Sequence, residues 1–135
     1  MTSRNWSVLP VVATAAAVAL LFTTGCAAWR IGQAADLARQ STPFQQNPAE
    51  ATVSLLIVGD STGVGTGASS PEASLAGLLG RAYPRLRIDN RARDGATFAG
   101  VLRQLEGTQR YDLVLVQAGG NDVIRLRSDE DVRAD

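Results

Sequence analysis

The stretch "LLIVGDSTGVGTGASSPE", residues 55–72, passes from an apolar run through Gly59-Asp60-Ser61 into a glycine-rich turn and then a helix start. An apolar run such as "VSLLIV", residues 53–58, closed by a glycine is what a parallel strand covered on both faces requires. Ser70, Pro71 and Glu72 then supply an N-cap, a first-turn proline and an acid, predicting a helix that stops before Pro84. Ser61 thus stands just past the carboxyl end of a strand.

The pattern repeats downstream. "LRIDN", residues 86–90, is a second strand candidate, and Thr97 can cap a helix whose face is Phe98, Val101, Leu102 and Leu105. "DLVLV", residues 112–116, reads as a third buried strand. The order β-α-β-α-β predicts an α/β fold with a parallel sheet and right-handed crossovers. Ligands of such sheets collect beyond the carboxyl ends of the strands. There the sequence places "GDS", "NRARDGAT" and "QAGGND", three polar, glycine-containing loops on one edge.

The turn "GVGTGA", residues 63–68, matches the G-x-G-x-x-A form of a dinucleotide fingerprint, with Asp89 near the end of the second strand. Its register argues against that reading. Its first glycine stands four positions after Gly59, and the expected helix cap, Ser70, lies after the motif instead of inside it. A phosphate-binding P-loop needs a lysine, and the chain has none. Taken alone, the segment is a permissive linker.

Together, "GDS" at 59–61, Asn90 with Gly95, and "GGND" at 119–122 resemble the first three sequence blocks of the GDSL, or SGNH, hydrolases. That family comprises esterases, lipases, thioesterases and carbohydrate deacetylases on a flavodoxin-like three-layer α/β/α fold. The resemblance covers roughly residues 53–127. It implies that Ser61 is the nucleophile toward a small ester or acylated substrate. The oxyanion donors it implies are the N–H groups of Ser61 and Gly95 and the side chain of Asn121. Asp60, Asn90, Gly120 and Asp122 are supporting positions, the two aspartates holding loop geometry. No cofactor or metal is called for. The family's last block, an aspartate and a histidine three residues later, has no counterpart, because the chain contains no histidine. The closing "SDEDVRAD" reads as a helix capped by Ser128, with Asp131 at the capping-box position. The expectation is the N-terminal portion of an SGNH domain, cut after its third strand, nearly inactive by itself, with the base and further strands beyond residue 135. Alternatives are a noncatalytic acyl- or glycan-binding remnant of the same fold, and a dinucleotide-binding module.

The 135 residues allow one modest domain, and 13 basic residues against 13 acidic ones imply no nucleic-acid partner. A single cysteine, Cys26, excludes an intrachain disulfide and a cysteine metal cluster. From Trp6 to Trp29 no charge occurs; a helix over that run reaches about 36 Å, enough for a bilayer core. Tryptophans at both edges suit membrane interfaces. "TTGC", residues 23–26, resembles a bacterial lipobox, with Thr23 where leucine is usual and Cys26 as the lipidation candidate. Anchor, lipoprotein and cleaved signal peptide all remain open, and all three predict export to the membrane, cell envelope or periplasm. The expected layout is a signal or anchor over 1–29, a tether over 30–51 with a helical turn near 34–39, and the hydrolase portion over 52–135.

Overall fold

In the computed structural model, residues 8–107 and 109–135 are described and fall into two units divided between Asp36 and Leu37. The expected interface role of Trp6 lies outside the described residues. Helix α1, Val8–Gln40, spans 33 residues without a break. Its stretch Pro10–Gln40 is long and apolar enough to cross a membrane, by length and composition. Gly25 and Gly32 do not interrupt it, and the hydroxyls of Thr23 and Thr24 bond to the carbonyl of Leu20 at 3.0 and 2.8 Å. Polar side chains are thereby satisfied within the helix. Residues 34–39 continue the same helix.

In the second unit, strand β1, Val53–Gly59, is the centre of a three-stranded parallel sheet of order β2-β1-β3, with β2 at Leu86–Asn90 and β3 at Leu113–Gln117. Val53 pairs with Leu86 and Leu55 with Leu113. Alternate side chains of β1 enter opposite layers. Leu55 and Ile57 join Ala76, Leu86 and Ile88, while Leu56 and Val58 join Val101. The first layer is closed by α3, Leu75–Ala82, and the second by α4, Phe98–Gln104, which gives the expected α/β/α sandwich. Burying both faces explains why β1 is apolar from Leu55 to Val58.

Several local expectations are corrected. Pro71–Ala73 forms only a 3-10 turn, and Ser70 makes no side-chain cap. Ser74 caps α3 instead, its hydroxyl accepting from Gly77 N at 3.1 Å. On α4 the buried side chains are Val101 and Gln104, whereas Leu102 and Leu105 are exposed. Thr97 precedes α4 but gives no side-chain cap. Strand β3 is not buried: Leu113, Val114 and Val116 are each about half exposed, because β1 is its one sheet neighbour among the described residues.

Residues 43–46, expected to lie within the tether, dock along the outer edge of β2. Gln46 and Ile88 form an antiparallel bridge, with backbone bonds of 3.1 and 2.8 Å. Phe44 packs against the layer containing Ile57, and the Gln46 side chain donates to Leu86 O at 2.8 Å. An otherwise bare strand edge is covered by this segment.

Candidate functional site

The sheet order places the β1 and β3 ends side by side, the position at which successive crossovers go to opposite faces of the sheet. Ser61 is the first residue of α2, Ser61–Val64, and is half-buried. The turn directly after β1 forms because buried Asp60 caps this helix, accepting from the Thr62 N–H at 2.9 Å and the Thr62 hydroxyl at 2.7 Å. Among the described residues, the Ser61 hydroxyl and the Ser61 N–H have no hydrogen-bond partner. The glycine run ends α2, with Gly65 in the left-handed region at φ +86°, and does not open a helix as a dinucleotide fingerprint would.

The three loops are tied pairwise. Between the first and second, Arg93 N donates to Gly59 O at 3.0 Å, and Asn90 Nδ2 donates to Gly63 O at 2.8 Å. The Asn90 oxygen also accepts from Ala92 N at 3.1 Å, so this side chain, 2% exposed, is fully occupied with loop shape. Between the second and third, Asn121 Nδ2 donates to Ala96 O at 3.0 Å. Arg125 Nη2 donates to Gly95 O at 3.0 Å. Between the first and third, Asp60 N donates to Gln117 O at 2.8 Å. A side chain added at Gly120 would begin 3.8 Å from Asp60 Oδ2, which places the glycine against the cap.

Gly95 has φ +73°, and a Cβ there would meet only Arg125 Nη2, at 3.5 Å. Its glycine is required by backbone conformation more than by close approach. The Gly95 N–H has no acceptor among the described residues. Asn121 opens the loop-side turn of α5, Gly120–Ile124, and its amide retains a second N–H beyond the one given to Ala96.

Asp122, 3% exposed, accepts from Phe98 N at 3.1 Å and forms an ion pair with Arg127 at 3.0 Å. It therefore caps α4 from another element, which explains why Thr97 need not. A second tie was not legible in the sequence: buried Gln104 accepts from Gly59 N at 2.7 Å and donates to Gly59 O at 2.9 Å. Beside the second loop, Arg91 bonds Asp89 at 3.0 Å and Tyr111 at 2.7 Å, and the Tyr111 hydroxyl also bonds Asp89. Burial, reinforced by the Asp89 carboxylate, pushes the Tyr111 phenol up. Burial pulls the Arg91 guanidinium down, but the hydrogen bond and charge of Asp89 outweigh it, so the net direction is upward.

A cleft of about 1130 Å³ is lined by Gln45, Asn90, Gly95, Gln104 and Arg125, among others, but not by Ser61 or Asn121. It runs along the second loop, residues 89–97 all contributing to its wall. Cys26 is exposed on α1.

A parallel sheet with a serine-led turn at its switch point, tied to two further carboxyl-end loops, defines a flavodoxin-like α/β fold. The chain belongs to the GDSL-like lipase/acylhydrolase family, whose model matches residues 57–135. Among solved structures it is similar to AlinE4, an SGNH-hydrolase family esterase, at 28% identity and a TM-score of 0.50, covering 65% of this chain and 50% of that one. Two point mutants of the same esterase match equally well, at 28% and 27% identity, TM-score 0.50, and with the same coverage of both chains. The chain thus spans half the length of the structures it matches. No curated protein matches it.

Proposed function

We propose that the chain carries the nucleophile and oxyanion hole of a serine esterase held at a membrane outside the cytoplasm by α1. The observation that carries the reading is the set of unused hydrogen-bonding groups on the converged loops. The Ser61 hydroxyl, the N–H groups of Ser61 and Gly95, and one N–H of Asn121 are free of protein partners among the described residues. These residues are half-buried, and donors left open beside a serine at the carboxyl end of a parallel sheet are what stabilising a developing oxyanion requires.

In this reading, Ser61 Oγ attacks the carbonyl carbon of an ester while its proton passes to a base. The oxygen that gains negative charge is met by the three donors, fixed before the reaction begins. The C–O bond to the alcohol then breaks, the alcohol leaves with the proton, and water hydrolyses the acyl-serine. The base is neither histidine nor lysine of these 135 residues, since neither type occurs in them. At the site, Asp60 and Asp122 accept from backbone N–H groups as caps. The base is therefore supplied by polypeptide other than these residues.

The test is a chimera joining this chain to the C-terminal half of an active family esterase. Ser61→Ala should abolish fluorophosphonate labelling, and Asn121→Ala should lower turnover about 10²–10³-fold, as for loss of one oxyanion donor. Undiminished turnover by a folded Ser61→Ala chimera would refute the reading.

A further inference from the structure

We propose that Gln104 is a positioning residue for Ser61, its carboxamide clamping Gly59 by accepting from the N–H that no backbone carbonyl meets at the carboxyl end of β1. The assignment rests on the reading of Ser61 as the nucleophile; the clamp itself rests on geometry alone. Strand β2 ends at Asn90, opposite Ile57, and the chain leaves the sheet after Arg91 N donates to Ile57 O at 2.8 Å. Gly59, two residues farther along β1, therefore has no β2 residue beside it. Its N–H and C=O point to the β2 side, because in a parallel strand both groups of one residue face the same neighbour; there the C=O meets Arg93 N of the second loop, and the N–H meets no backbone carbonyl.

Gly59 is buried, so water is not a ready substitute, and a buried amide without a partner is strongly disfavoured. Arg93 N already donates to Gly59 O at 3.0 Å, so the N–H is the group left over; Gln104 supplies its acceptor at 2.7 Å and adds a second donor to the carbonyl at 2.9 Å, from the side of α4 that faces the sheet. A primary carboxamide is the neutral side chain that presents an acceptor and a donor in this planar pairing. On the other side, Asp60 N is bonded to Gln117 O, and a Cβ at Gly59 would lie 1.9 Å from that same oxygen. Gly59 is thus held from β3 and from α4 together, with φ +151°, and the direction in which the chain leaves it sets Asp60 and Ser61. Gln104 is too valuable to the backbone at Gly59 to be explained as packing: an apolar residue would fill the layer beside Val101 equally well.

The test uses the full 135-residue chain in detergent micelles, with amide exchange and NMR shifts of Gly59 and Ser61, and reads fluorophosphonate labelling of Ser61 in the chimera that supplies the base. Gln104→Leu should lower Gly59 protection roughly 10- to 100-fold and shift the Ser61 amide. Because unfolding of that variant would mask the effect, Gln104→Glu carries the decisive comparison. When protonated, its carboxyl donates to Gly59 O and accepts from Gly59 N, as the amide does. When ionised it offers only acceptors and opposes the Gly59 carbonyl. Protection should therefore equal wild type at low pH and fall as the buried carboxyl ionises. The charged and titratable groups around the position are Asp60, Asp89, Arg91, Arg93, Arg103, Glu106 and Tyr111. They are shared with wild type, whose own pH series subtracts their effects. Unchanged Gly59 and Ser61 amides in folded Gln104→Leu, or a Glu variant indistinguishable from wild type at every pH, would overturn the proposal. A Gly59 response in the 135-residue chain, with no Ser61-dependent labelling in the chimera, would support the clamp and overturn the nucleophile assignment instead.

Discussion

Removing the Asp122 carboxylate should loosen the tie between α4 and the third loop by a calculable amount. Asp122→Ala deletes the acceptor of the Phe98 N–H, which caps α4, and the partner of Arg127. Loss of a helix cap costs about 1–2 kcal/mol. The ion pair joins a carboxylate that is 4% exposed to a guanidinium that is 24% exposed, and Arg127 keeps Asp135 as a second partner at 2.5 Å. Its loss adds about 1 kcal/mol, between the values for surface and buried pairs. The sum, about 2–3 kcal/mol, is a large part of the roughly 5–10 kcal/mol available to a domain of this size. With a urea slope of roughly 1.5 kcal/mol per M, the midpoint should fall by about 1.5–2 M. Pulse proteolysis with trypsin measures it in micelles, since the arginines of the domain report its opening independently of α1. Asp122→Asn retains an acceptor for Phe98 and should lose about half as much. A midpoint for the Ala variant within about 0.3 M of wild type would refute the capping role, because even a weak cap exceeds that.

Three further outcomes are expected. After carbonate extraction of expressing bacteria the full-length chain should remain with the membranes, and release into the soluble fraction would refute anchoring by α1; Cys26→Ser abolishes acyl labelling only if the anchor is a lipoprotein. A chain starting at Ser41 should unfold cooperatively, whereas one starting at Ala51 loses Phe44, Gln45 and Gln46 from the β2 edge and should unfold at markedly lower urea. The Asp112 carboxyl is held below its usual range, first by the Ser54 hydroxyl and then by the Ser54 N–H. Its stabilisation is therefore complete above about pH 4 and lost as pH falls through the lowered value, so Asp112→Asn should flatten the acid limb of a stability–pH curve.

The sheet was legible because its strands obey one-dimensional rules. β1 and β2 appear where the apolar runs and alternation place them, and the order of the loops follows from strand order alone. The family blocks at Ser61, Gly95 and Asn121 were legible as residue types in sequence. What decides how those loops are held was not. Asp122 reaches Phe98 across 24 residues, and Gln104 reaches Gly59 across 45. No local pattern marks either pair, since the reason for each is an unpaired backbone group elsewhere. The same blindness put Leu105 on the buried face of α4 in place of Gln104. An apolar side chain is assigned to the core by its own hydropathy, but a buried glutamine is assigned by the bond it satisfies.

Strand β3 marks the converse limit of pattern reading. "LVLVQ" has the composition of a strand covered on both faces, yet Val114 and Val116 are half exposed on one face and Leu113 on the other. Leu115 alone among its apolar side chains packs against a core layer, beside Ile57. An apolar run records what a strand is suited to be buried against; whether that cover belongs to the same residues is a separate physical question. Here β3 is secured through its backbone ladder to β1 and through the Ser54–Asp112 bonds at its start, not through side-chain burial. The carboxyl end of β3, which carries Gln117 and then Asn121, is correspondingly fixed by polar ties: Asp60 to Gln117, Asn121 to Ala96, and Asp122 to Phe98. The geometry of the site is thus held by hydrogen bonds among its loops, so single polar substitutions there should disturb it more than apolar substitutions in β3.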